Sequence, residues 1–227
     1  MAVDFSDIKY IVTDWDGTLV DSMGAYTKSY VKTLNSQFGI DPKTLEEFYW
    51  ETAGSPLSWQ FKEGAARFAR VKIKDTKNLE NLFWENLTGL TPEIVPGAKN
   101  FLSQLKEKGF KVIIWSGTKT EVLEEKINLL SFSSSADFYI GNVPGDQNLV
   151  KGPGLFRLIA EKFSYPAEKL ARKTLVIGDG EADMKAGCAI GAKTAGFTRL
   201  KTVEQLKKAG ADFVFDDFPE LLKKLKK

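Results

Sequence analysis

Two stretches of this 227-residue chain carry carboxylates in a pattern that suits a hard cation: Asp14-Trp15-Asp16-Gly17-Thr18 and Gly178-Asp179-Gly180-Glu181-Ala182-Asp183. Each follows a short apolar run, Ile8 to Thr13 and Thr174 to Ile177, whose length and β-branching read as a buried strand. Alternate residues of a strand share a side, so Asp14 and Asp16 point together and Trp15 points away. Gly17 then permits a sharp turn. Taken alone, an Asp-x-Asp pair can be turn chemistry, and Asp183 can be an acid placed for a helix dipole. Asp179, in the loop, has neither explanation. Together the two strand ends make a set of oxygen ligands, which suits Mg²⁺ with its few carboxylates, waters and substrate phosphate. Zinc takes His and Cys, and the chain has no histidine and one cysteine, Cys188.

The missing histidine also removes Ser-His-Asp and Cys-His nucleophiles. Polar chemistry at neutral pH must then use carboxylates, lysine, hydroxyls or a metal. Two further stretches offer such groups. Ser116-Gly117-Thr118 follows the apolar run Lys111 to Trp115, and a hydroxyl with free N–H groups at such a turn can hold phosphate oxygens. Taken alone, it reads as a plain helix N-cap. Lys151, ahead of Gly152-Pro153-Gly154, could neutralise the carboxylates and grip a phosphate. Taken alone, it reads as a surface lysine.

These residues need a frame to hold them. Strand-like runs recur at Asp137–Ile140, Lys193–Phe197 and Asp212–Phe215. Helical spacing fills the gaps at Ala98–Lys108, Glu121–Leu130, Leu155–Phe163, Ala182–Ile190, Val203–Ala209 and Pro219–Leu225. This alternation predicts an α/β fold: a Rossmann-like parallel sheet core with helices on both faces. Both acidic stretches then sit at carboxyl ends of strands, where open α/β sheets bind ligands. From about Asp21 to Leu90 the pattern is helical only, with Gly54-Ser55-Pro56 as a loop inside it. An all-α cap over 21–90 is expected, inserted into a core made of 1–20 and 91–227. It holds three of the five tryptophans, Trp50, Trp59 and Trp84.

Composition excludes several classes. Hydrophobic residues make up 43% and charged residues 27%, ordinary for a globular protein. A net charge of +2 gives no push toward nucleic acid. No apolar run approaches the roughly 20 residues that span a bilayer, and the N-terminal residues lack the apolar segment of a signal peptide. The expectation is a cytoplasmic protein, monomer or homodimer, without nucleic-acid or membrane partners, in which the sequon Asn86-Leu87-Thr88 is a chance match. The Lys223–Lys227 run suits a solvated helix end.

In this order, the four stretches resemble the motifs of the haloacid dehalogenase superfamily, over nearly the whole chain. Asp14 to Ser22 (DWDGTLVDS) is similar to the first motif of its phosphoglycolate-phosphatase-like branch. Val95-Pro96-Gly97 with Leu102, Leu105 and Gly109 resembles the approach to the second motif, where Ser116 is the matching hydroxyl. Lys151 matches the third motif, and Gly178-Asp179 with Asp183 the fourth. Ala211-Asp212 with Leu221-Leu222 resembles the usual C-terminal strand and helix. The resemblance implies a Mg²⁺-dependent phosphatase acting on a small phosphorylated metabolite, phosphoglycolate-like or a sugar phosphate, through an aspartyl-phosphate intermediate. Asp14 would be nucleophile and metal ligand. Asp16 would be general acid and base, with its backbone carbonyl on the metal. Asp179 would complete the direct ligands, and Asp183 would orient a bound water or Lys151. Ser116 and Lys151 would join the catalytic set, and Thr18, Ser116, Gly117 and Lys151 would hold substrate.

Two departures from the motifs stand out: Gly117 where Asn is common, and Lys151-Gly152-Pro153 where Lys-Pro is usual. In the cap, Gly54-Ser55-Pro56-Leu57 resembles a substrate-specificity loop, and Ser58, Trp59, Lys62, Arg67 and Arg70 are candidates for touching the leaving group. The plainer reading packs the aromatics in the cap's own core and leaves the cations on a solvated helix face. A sugar phosphomutase of the same superfamily is the alternative enzyme, although such mutases gate the acid with a cap histidine. A non-catalytic binding module on this fold is the other alternative. The intact set Asp14, Asp16, Lys151 and Asp179 speaks against it.

Overall fold

The computed structural model describes residues 3–52, 55–87, 91–143 and 148–225. Gly54 of the expected loop, Thr88 of the sequon and the final lysines 226 and 227 lie outside them. In chain order the strands are β1 (Tyr10–Asp14), β2 (Val20–Asp21), β3 (Glu93–Ile94), β4 (Lys111–Lys119), β5 (Phe138–Asn142), β6 (Thr174–Gly178), β7 (Lys193–Phe197) and β8 (Phe213–Phe215). The helices are α1 (Met23–Phe38), α2 (Pro42–Glu51), α3 (Leu57–Gly64), which runs into a π-helical turn at Ala65–Ala69, α4 (Lys77–Leu87), α5 (Ala98–Glu107), α6 (Thr120–Leu129), α7 (Pro153–Lys162), α8 (Ala167–Ala171), α9 (Glu181–Ile190), α10 (Val203–Lys208) and α11 (Phe218–Lys224).

The chain divides into two compact units, Met1–Val20 with Ile94–Lys227, and Asp21–Glu93. The first is a six-stranded parallel sheet in the order β5-β4-β1-β6-β7-β8. Successive residues of its central strands feed opposite faces. Ile11, Val112, Ile114, Leu175 and Ile177 pack with Phe101, Leu102, Leu123 and Leu221 on one side. Val12, Ile113, Trp115 and Val176 pack with Leu155, Phe156, Ile159 and Leu170 on the other. Burial on both faces explains why these strands read as continuous apolar runs rather than alternating ones.

The second unit is helical, around a core of Tyr30, Leu34, Leu45, Phe48, Phe61 and Phe83. Its three tryptophans are not buried in that core: Trp50, Trp59 and Trp84 are 42%, 45% and 39% exposed, with Trp59 and Trp84 packed at its rim against Phe48 and Phe83. Helical spacing explains the correction for α4. Leu79 and Phe83 share one face at i and i+4 and are buried, which turns the adjacent Trp84 outward. In α2, Leu45, Phe48 and Tyr49 likewise take the inner face. The strands β2 and β3 form a separate two-stranded sheet.

A second correction concerns β4. The strand does not stop at Trp115 but continues through Ser116 and Gly117 to Lys119, pairing Ser116 with Gly141 and, past a bulge, Lys119 with Asn142. Ser116 is therefore no helix N-cap; Lys119 holds that place for α6. The helix after Lys151 begins at Pro153, a residue suited to a first helical turn, rather than at Leu155. Among the described residues no helix is long and apolar enough to cross a membrane.

Leu102 on α5 is fully buried. Leu102→Ala should cost about 2–5 kcal/mol in urea unfolding through lost burial and a residual cavity, whereas Val203→Ala, at an exposed site, should change stability by less than about 0.5 kcal/mol.

Candidate active site

The register of the sheet gathers the site. Asp14, the last residue of β1, lies beside Trp115 of β4, and Thr13 lies beside Ile177 of β6. The residues that follow on each strand, Asp16, Ser116 and Asp179, therefore emerge at one edge. Trp15 is buried in the cluster that holds Ile11 and stacks edge-on against Phe132 at 5.1 Å. Asp14 lies on the other face, where its Oδ1 accepts a short hydrogen bond from Lys151 Nζ.

Asp14, Asp179 and Asp183 are all buried, and each offers a carboxylate oxygen within 4.8 Å of the others. Lys151 bridges two of them. Besides Asp14 it reaches Asp183 Oδ1 at 2.5 Å, and its ammonium stands 5.7 Å over the Trp115 ring. The other Asp183 oxygen accepts from Gly180 N–H at 3.0 Å, which fixes that carboxylate in the first turn of α9. Thr18 Oγ1 donates to Asp179 Oδ1 at 2.9 Å. Two glycines make room. Gly17 sits at φ 84°, and a Cβ there would overlap the Asp179 carboxylate; a Cβ on Gly178 would overlap Asp183.

Ser116 occupies a different position from the one read in the sequence. Its hydroxyl donates to Asp16 Oδ2 at 3.0 Å and accepts from Thr118 N–H at 2.9 Å, so it orients Asp16. The Gly117 carbonyl accepts from Asn142 Nδ2 at 2.9 Å. Trp59 belongs to the helical unit, where it stacks on Phe48 at 6.5 Å. In that same unit the Arg67 guanidinium lies 5.4 Å from the Phe68 ring centroid, and Arg70 ends the π-helical turn in a left-handed conformation. Sequence reasoning missed Asn142 and the seat that Trp115 gives Lys151, because neither belongs to a local pattern.

The electrostatics of the cluster are unbalanced. Burial pushes Asp14 well above the usual carboxylate range; Lys151 pulls it down, and Asp183, Asp179 and Asp16 push it further up. Burial, then Asp183, raises Asp179 to about 7, against a hydrogen bond from Thr18 and the charge of Lys151. For Lys151, burial favours loss of the proton, but Asp14 and Asp183 outweigh it and hold the ammonium charged. Three carboxylates share this one ammonium. A divalent cation would supply the missing charge, and an all-oxygen donor set fits Mg²⁺ rather than a metal that seeks nitrogen or sulfur.

A family model for haloacid dehalogenase-like hydrolases matches residues 8–191. The chain belongs to that family. Among relatives of this hydrolase, a phosphoglycolate phosphatase from Haemophilus influenzae is 27% identical over 230 residues, covering 96% of this chain and 98% of the relative. A phosphoserine phosphatase from Bos taurus is 28% identical over 145 residues, covering 58% of this chain and 60% of the relative. The solved structure of a predicted phosphoglycolate phosphatase from Haemophilus somnus superposes with a TM-score of 0.79 at 20% identity, covering 96% of this chain and 98% of that one. The likeness shows that the hydrolase shares its fold.

A raised carboxyl pKa means that the folded metal-free chain keeps a proton that the unfolded chain releases. The contribution of Asp179 to stability is then full below about pH 4 and is lost as pH rises through about 7. Thermal unfolding of metal-free protein should show this loss, and Asp179→Asn, which keeps an acceptor for Thr18, should flatten the profile. Millimolar Mg²⁺ should raise the melting temperature more at pH 7.5 than at pH 5. A melting temperature indifferent to Mg²⁺ at both values would count against a cation at this cluster.

Proposed function

We propose that this hydrolase is a phosphoric monoester hydrolase, dependent on Mg²⁺, that dephosphorylates a small phosphorylated metabolite by covalent attack of Asp14. The observation that carries this reading is the buried Asp14 carboxylate at the end of the central strand, with Lys151 on one oxygen and Asp179 and Asp183 beside it. The chain has no histidine to activate a hydroxyl or thiol, and the resemblance to the haloacid dehalogenase motifs implies Asp14 as the nucleophile. The phosphoglycolate and phosphoserine phosphatases among the relatives support a small substrate.

The steps follow from the side chains. An Asp14 oxygen attacks phosphorus, and the bond from phosphorus to the leaving oxygen breaks. Asp16, oriented by the Ser116 hydroxyl, gives that oxygen a proton. Asp16 then takes a proton from a water as the water attacks phosphorus, the bond to Asp14 breaks, and phosphate leaves. Lys151 neutralises the Asp14 carboxylate as it meets the phosphate and grips a phosphate oxygen as charge moves onto it. Mg²⁺ held by Asp14, Asp179 and the Asp16 backbone carbonyl would neutralise the phosphate so that two anions can meet. Asp183 stays on Lys151 and the α9 turn.

The protein should hydrolyse a generic aryl phosphate with Mg²⁺ and lose that activity in excess chelator. Full activity in metal-free protein would overturn the metal assignment. Asp16→Asn should keep the fold and the Mg²⁺-induced rise in melting temperature while turnover drops about 10²–10⁴-fold. A variant turning over near the parent rate would show that another group moves the proton.

A further inference from the structure

We propose that Asn142 is a positioning residue that fixes the backbone of Lys151 against the end of β4, and thereby sets where the lysine ammonium meets Asp14. Its effect on turnover rests on the phosphatase reading above. Asn142 ends β5, and its side chain spans two other segments. Oδ1 accepts from Lys151 N–H at 2.9 Å, and Nδ2 donates to the Gly117 carbonyl at 2.9 Å. One amide therefore joins the β4 extension that carries Ser116, the end of β5 and the residue that carries the lysine.

Lys151 needs such an anchor. It lies in neither helix nor strand. Gly152, next in the chain, sits at φ 134°, ψ −147°, a conformation that belongs to glycine, and α7 starts only at Pro153. On the other side Val143 N–H donates to the Leu149 carbonyl at 2.9 Å and brings the chain back beside β5. The lysine side chain has four rotatable bonds, so its reach to Asp14 and Asp183 is only as well defined as its Cα. Asn suits the joint because it is both donor and acceptor; Asp would keep the acceptor for Lys151 N–H but lose the donor, and Ala would lose both.

The experiment has two arms on the full-length protein. Hydrogen exchange at the Lys151 amide, read without substrate, should be about two- to tenfold faster in Asn142→Ala, the factor that one net hydrogen bond supplies. Asn142→Asp should keep much of that protection. On an aryl phosphate with Mg²⁺, Asn142→Ala should lower kcat/KM by about 10–10²-fold, the cost of a misplacement near 1 Å, with little change in melting temperature. Unchanged Lys151 exchange in Asn142→Ala would overturn the proposal. So would faster exchange with unchanged kcat/KM. If the parent protein itself fails to turn over, the phosphatase reading falls, while the exchange arm still decides whether Asn142 holds Lys151.

Discussion

Everything at the carboxyl edge of the sheet depends on a charge imbalance kept out of water. Asp14, Asp179 and Asp183 are buried within a few ångströms of one another, and Lys151 pairs with Asp14 and Asp183 among them. Burial and neighbouring like charges push Asp14 and Asp179 toward their protonated forms, and a buried pair is costly when one partner goes missing. The buried, all-oxygen arrangement fits a divalent cation.

The fold supplies what that arrangement needs. A central strand flanked on both sides by parallel neighbours places three strand ends in register, so Asp14, Ser116 and Asp179 come from rigid elements and not from long loops. The two faces of the sheet are sealed by separate apolar clusters, which fixes the direction each strand end takes. Close backbone approach at Gly17 and Gly178 lets the carboxylates crowd together. Remaining polar groups hold the acids in place: Thr18 on Asp179, Gly180 N–H on Asp183, Ser116 on Asp16.

Local pattern made part of this legible. Asp14 with Asp16, and Asp179 with Asp183, stand out in the sequence because each pair follows an apolar strand at a fixed offset, and the parallel α/β core follows from the alternation of strands and helices. What the sequence hid depends on the third dimension. The bulge that carries β4 past Ser116 is set by pairing with β5, so a strand looked like a helix cap. Asn142 lies 9 residues before Lys151 and 25 after Gly117, and no periodicity links such positions. In the helical unit, adjacent aromatics such as Phe83 and Trp84 leave open which one faces inward, and that choice is made by the core around Tyr30 and Phe61.

The covalent role of Asp14 is the central claim, and the stereochemical course at phosphorus tests it most directly. Hydrolysis of a phosphomonoester made chiral at phosphorus with oxygen isotopes, in the presence of Mg²⁺, separates the two routes. Attack by Asp14 followed by attack by water gives two in-line displacements, and the account expects net retention of configuration in the released phosphate. Net inversion would mean that water attacks phosphorus in a single step, leaving Asp14 as a metal ligand and contradicting the account.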